Sequence, residues 1–191
     1  MPRVKGERRL EILKALAQML EQPKWGKVTT AALAEKLDVS EAALYRHFAS
    51  KAQMYEGLIE FIESSVFTLA NKIVQDETDG RRQAAKLVEM LLAFAEKNPG
   101  MVRVMTGDAL VGEHERLQAR MNQFYDRFES TLKQALRAPG DGAEKLSDAE
   151  VTARAGMLVR YVIGCLHQYA KSGFTKKPSE SYAAQRRYLA A

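Results

Sequence analysis

Between Thr29 and Lys51 the chain gathers side chains that donate hydrogen bonds to oxyanions and base edges. They are the hydroxyls of Thr29, Thr30 and Ser40, the phenol of Tyr45, the guanidinium of Arg46, the imidazole of His47 and the ammonium of Lys51. Among them stand Glu41, Ala42 and Ala43, one acceptor and two residues small enough to let a helix approach another surface closely. The first nine residues add Arg3, Lys5, Arg8 and Arg9. Arg and Lys neutralise phosphates, hydroxyls donate to them, and a mixed arc of acidic, small, aromatic and basic residues reads bases. This is the chemistry of binding a nucleic acid. A three-helix core with merely solvated charges is the plainer account, but capping, packing and charge agree in this segment and favour duplex DNA.

Chemistry of other kinds finds no support in the residue types. There is no glycine-rich phosphate loop, no G-x-S-x-G elbow and no H-E-x-x-H pair, so neither an enzyme nor a cofactor is expected. Cys165 and His167 lie two apart on a helical stretch, where side chains diverge by about 200°, so no metal site is expected either. Cys165 reads instead as a small buried group at a dimer seam, and His114, between Glu113 and Glu115, as an exposed residue. One Cys allows no internal disulfide and suggests a reducing compartment. The longest apolar run, Met90 to Ala95, falls well short of the ~20 residues that cross a bilayer, and the charged N-terminus offers no leader. A cytoplasmic protein is expected.

The elements that must position the Thr29–Lys51 side chains are helices. Leu10, Leu13, Leu16, Ala17 and Leu20 recur at helical spacing from about Arg8 to Glu21, and the stretch from Gln22 to Lys27 breaks that helix. Thr29 or Thr30 caps a short second helix, and Asp38-Val39 interrupts it. Asp38 occupies a turn position that demands a left-handed backbone. Ser40 caps a third helix with Glu41 in its first turn, and Ala34, Val39 and Leu44 pack the two together. Ser50 caps a long fourth helix through Ile73. A fifth runs from Arg81 to Lys97, and Asn98-Pro99-Gly100 breaks the chain before a short helix to about Leu110. Long amphipathic helices follow over Glu113–Arg137 and Asp148–Lys171, separated by the loop Ala138 to Lys145, with a short tail helix over Tyr182–Leu189. The fold class is all-α: a helix-turn-helix domain over residues 1–51 and a helical regulatory and dimerisation domain over residues 52–191.

The distribution of charge fits this division. Residues 1–51 carry ten basic and six acidic side chains, residues 52–170 fourteen and seventeen, and residues 171–191 five and one. The DNA-facing end is basic, which suits a polyanion. Lys171, Lys176, Lys177, Arg186 and Arg187 make the other basic end, read as a solvated tail.

Ser40-Glu41-Ala42-Ala43-Leu44-Tyr45-Arg46-His47-Phe48, with Lys51 after it, resembles the recognition helix and following turn of the TetR family. The resemblance implies that this helix enters the major groove of a palindromic site. It also implies an all-helical second domain that makes a homodimer through its last two long helices, with one dimer or two on each DNA site.

A narrower resemblance runs further along the chain. Leu58-Ile59-Glu60-Phe61-Ile62-Glu63, Glu96-Lys97-Asn98-Pro99-Gly100, Thr106-Gly107 with Ala109-Leu110, and Arg116 to Gln123 are similar to the nucleoid occlusion factors within that family. This resemblance implies a nucleoid-associated protein that blocks cell division over the chromosome by capturing the C-terminal tail of FtsZ. The tail would lie in a groove between the fourth and fifth helices, at Phe61, Met90, Lys97 and Asn98. By residue type alone Phe61 and Met90 read first as ordinary core; as a trough for an apolar and acidic peptide they would need a cation nearby, for which Lys97 and Arg103 serve. Two other readings remain: a ligand-responsive repressor with a small-molecule pocket, and an enzyme or lipid-surface protein using the basic tail. The core stripes are mostly Leu, Met, Phe, Val and Ala, which favours a filled interior over a pocket.

Overall fold

The structure, a computed structural model, describes residues 5–22, 26–138, 140 and 145–189. Every regular element among them is helical: α1 (Lys5–Leu20), α2 (Thr30–Lys36), α3 (Glu41–Tyr45), α4 (Lys51–Asp76), α5 (Gly80–Lys97), α6 (Pro99–Met105), α7 (Glu115–Arg137), α8 (Asp148–Lys171) and α9 (Ser179–Leu189). No described helix is long and apolar enough to cross a membrane.

The helix starts follow from side-chain caps. The oxygens of Thr29, Ser40, Ser50 and Asp79 accept from the backbone N–H groups of Ala32, Ala43, Gln53 and Arg82, filling donors that a first turn leaves open. Ser147 and Glu150 make a reciprocal capping box for α8. Asp38 has φ +52°, the left-handed turn expected of it, and Val39 N–H closes the turn on the Ala34 carbonyl at 3.0 Å. Three starts and one end differ from expectation. α5 begins at Gly80, with Asp79 as its cap. α6 stops at Met105 because Gly107, at φ +81°, leads into a short 3-10 turn at Asp108–Leu110. His114 is exposed but not idle: its Nδ1 accepts from Arg116 N–H and caps α7. α9 begins three residues early, where Ser179 N–H donates to Glu96 at 2.7 Å.

α7 and α8 form an antiparallel hairpin against which α4 and α5 pack. Phe124 of α7 sets its ring 5.5 Å from Phe67 of α4, inside one buried apolar cluster that runs from Leu33 and Leu44 to Tyr182. The tail is docked rather than loose. Tyr182 is buried with its hydroxyl donating to the Ala85 carbonyl at 2.8 Å, and burial pushes its phenol up to about 12. Its basic residues Arg186 and Arg187 remain exposed. Cys165 is half-buried beside Tyr161, whose hydroxyl donates to Gln185 at 2.7 Å.

The first three helices are held to the rest along α1. Gly100 of α6 lies against the α1 backbone so closely that a Cβ there would stand 2.0 Å from the Ala17 carbonyl oxygen. Three residues on, Arg103 donates to the Leu20 carbonyl at 2.8 Å and occupies an acceptor at the end of α1. Gly100→Ala is therefore expected to cost about 3 kcal/mol, the upper part of the overpacking range. Thermal unfolding reads the loss, and an unchanged melting temperature would mean that this seam yields freely.

Candidate nucleic-acid interface and adjoining cleft

The outward arc of α3 is set by what faces inward. Leu44 and Phe48 are buried and Ala43 is half-buried, which turns Glu41, Ala42, Tyr45 and Arg46 to solvent, with Tyr45 44% exposed. Ser40 and Thr29 flank this arc. Each uses an oxygen lone pair for its cap, which leaves the hydroxyl proton available to a phosphate. Thr30 is committed differently: its hydroxyl donates to the Glu41 carboxylate, tying α2 to α3.

Several basic residues of this end already have partners. Arg9 donates to the His47 carbonyl at 2.6 Å and stacks 4.2 Å over the Phe48 ring. Arg8 pairs with Glu11 one turn along α1. The Lys51 ammonium pairs with Glu113, across the gap between the start of α4 and the turn before α7. It also lies 5.6 Å above the Tyr55 ring, whose phenol burial and then Glu113 hold well above its ordinary value. His47 is half-buried, and its Nδ1 is the one buried side-chain polar atom without a partner among the described residues. Arg3 and the Lys5 side chain lie outside the described residues.

Of the residues expected at a partner groove, Phe61 and Asn98 line one cleft and Met90 lines another. Phe61, 41% exposed, and Asn98 line a cleft of about 260 Å³ whose other wall is α1, through Leu10, Leu13 and Ala17. Asn98 is fixed there by donating to the Phe94 carbonyl at 2.8 Å. Met90 is half-buried in a second cleft of about 220 Å³ with Leu69, Ile73, Lys72 and Lys86. Lys97 is exposed on the last turn of α5 and lines neither cleft. Arg103 departs from the expected role: it is 5% exposed, donates to the Leu20 carbonyl and stacks 4.8 Å from the Phe174 ring, so it offers no charge at a groove edge.

Comparison with known proteins bears on the same two regions. The model for bacterial regulatory proteins of the tetR family matches residues 12–58, and the SlmA-like model of the tetracyclin repressor-like C-terminal domain matches residues 81–191. The nucleoid occlusion factor SlmA of Alteromonas mediterranea is 49% identical over 186 residues, which cover 97% of this chain and 95% of that protein. The SlmA of Idiomarina loihiensis is 46% identical over 185 residues, covering 97% and 94%.

The chain belongs to the TetR family, in its SlmA-like branch.

The TetR-family fold extends to solved structures of low sequence identity. The fatty acid degradation regulator FadR of Bacillus halodurans superposes with a TM-score of 0.77 at 14% identity, over 99% of this chain and 97% of that one. That likeness concerns the fold alone. Against the ligand-pocket alternative, the buried polar or charged residues described are Asp79, Gln83 and Arg103. Asp79 caps α5, Gln83 donates to the Val74 and Glu77 carbonyls, and Arg103 closes the α1 seam, so all three serve backbone rather than a cavity.

Residue patterns had not singled out the α1 wall of the first cleft. The signal was present, because α1 carries two apolar stripes. Ile12, Leu16 and Leu20 are buried, while Leu10, Leu13 and Ala17 form an adjoining row with Leu10 45% exposed. A helix with a second row has a second surface to cover.

Proposed function

We propose that the chain is a DNA-bound nucleoid occlusion factor, nucleoid-associated in the cell, that restrains division by holding the C-terminal tail of FtsZ. α3 enters the major groove of a palindromic site as part of a homodimer, with Glu41, Ala42 and Tyr45 toward the bases and Ser40, Thr29 and Arg46 toward phosphates. Identity near one half to nucleoid occlusion factors along almost the whole chain supports this reading.

The tail-binding part rests on one observation above others. The apolar cleft at Phe61 is walled by α1 on one side and by Leu58 and Met101 on the other. An apolar peptide side chain seats there, with Lys97 beyond the rim for an acidic neighbour. Because α1 belongs to the DNA-reading end, a duplex that fixes α1 also biases the cleft. Titration of a labelled FtsZ tail peptide into the protein, with and without its DNA site, tests both points. Phe61→Glu and Lys97→Glu are each expected to weaken the tail at least tenfold while leaving DNA affinity unchanged. Equal tail affinity for wild type and both variants rejects this site, and equal affinity with and without DNA rejects the coupling.

A further inference from the structure

Glu41 is the anomaly of the DNA-facing arc. It is exposed, it opens the recognition helix, and it puts a negative charge where phosphates must approach. Among the described residues it makes no ion pair; its hydrogen-bond donor is the neutral Thr30 hydroxyl on the neighbouring helix. That bond holds Oε2, while Oε1 accepts no hydrogen bond among the described residues and keeps its acceptor capacity. Ala42, next along the arc, is too short to hold the helix away from the groove. Tyr45 and Arg46 lie one turn later on the same face, so Glu41 sits at the end of the helix that reaches base edges first.

An ionised carboxylate only accepts. In the major groove guanine offers N7 and O6 and thymine offers O4, acceptors that repel it. Adenine offers a donor at N6 but sets the N7 acceptor beside it. Cytosine offers the N4 amino group next to C5–H, with no acceptor on that edge facing the carboxylate. Resting on the DNA-binding reading above, we infer that Glu41 is a specificity-determining residue: its carboxylate accepts from the N4 amino group of a cytosine in each half-site, and Thr30 is the positioning residue that aims it. Thr30 thus acts through Glu41 rather than on a phosphate. Repulsion from the backbone lowers binding to every sequence, and the cytosine contact restores it at one sequence only, so Glu41 gives selectivity at the expense of general affinity.

The test uses the full chain. A binding selection from random duplexes defines the preferred site, and fluorescence anisotropy then measures affinity for that duplex and for versions with each base pair of the half-site changed. One cytosine is expected at which replacement by thymine weakens the wild type by roughly ten- to a hundredfold. Glu41→Ala should bind the two duplexes alike and should bind random DNA more tightly than wild type. Glu41→Gln should move the preference at that position from cytosine to adenine, because an amide pairs with both N6 and N7. Thr30→Val should narrow the cytosine–thymine difference without abolishing it, a change that mere loss of helix stability would not produce. The inference is overturned if Glu41→Ala and Glu41→Gln keep the wild-type preference at every position, or weaken all duplexes equally. If the wild type itself prefers no duplex over random DNA, the DNA-binding reading fails and this inference falls with it.

Discussion

Phe124→Ala is expected to lower the unfolding free energy by about 3–5 kcal/mol, the cost of emptying a large buried aromatic site. The Phe124 side chain is 1% exposed, halfway along α7. Its ring meets Phe67 of α4 at 5.5 Å with a 59° tilt and Tyr125 edge-on at 5.2 Å, and the Arg127 guanidinium lies over the Phe67 ring at 3.8 Å. The Tyr125 hydroxyl in turn donates to the Met105 carbonyl at 3.1 Å, so one aromatic group joins α4, α6 and α7. Truncation removes the transfer free energy of the ring and the aromatic pairing and leaves a cavity that rigid helices fill poorly. Against a total stability of roughly 5–15 kcal/mol, such a loss leaves many molecules unfolded at physiological temperature. Urea unfolding followed by helix ellipticity measures it. Phe124→Leu should cost much less, and a loss under about 1 kcal/mol for the Ala variant would show that the α4–α7 seam is held elsewhere.

DNA affinity is expected to fall by about 10³–10⁵ between 50 and 200 mM salt, as it does for proteins that neutralise roughly six to ten phosphates. The slope of log affinity against log salt also reports which cations take part. Lys51 begins paired with Glu113, so a phosphate must compete with a carboxylate for it. Glu113→Gln should therefore tighten binding, while Lys51→Ala should make the slope shallower by about one per subunit. Arg9 is already committed to the His47 carbonyl and the Phe48 ring, so its replacement should weaken the packing of α1 on the turn after α3 as well as DNA binding. A slope near zero for the wild type would be incompatible with phosphate contacts of this kind.

Features that depend on neighbours in the chain were legible in advance. Ser40, Ser50 and Ser147 cap the helices they precede because a cap is an interaction over two or three residues. Asp38 takes its left-handed backbone for an equally local reason. Reading failed where the partner is distant. Arg103 looked like a free cation, and only the arrival of the α1 terminus, 83 positions earlier in the chain, turns it inward. The tail helix was expected and its basic side chains are exposed, but its docking through Tyr182 to the Ala85 carbonyl and Ser179 to Glu96 was not legible. Nor did residue patterns show that α1 walls the cleft lined by Phe61, while Met90 lines a cleft along the far half of the α4–α5 pair.

The amino-acid order alone determined that this chain is helical, where most of its helices begin, and that its second and third helices form a helix-turn-helix. Those properties arise from periodicity, capping and charge within a turn or two, and they hold whichever way the helices later pack. Tertiary structure alone decided which charged groups remain available and which apolar rows remain uncovered. Lys51 is engaged only because the turn before α7 brings Glu113 to it, and the Leu10–Leu13–Ala17 row becomes a cleft only because α4 and α6 stop short of covering it. Burial and pairing are properties of surfaces that meet, and no single stretch of sequence contains both surfaces.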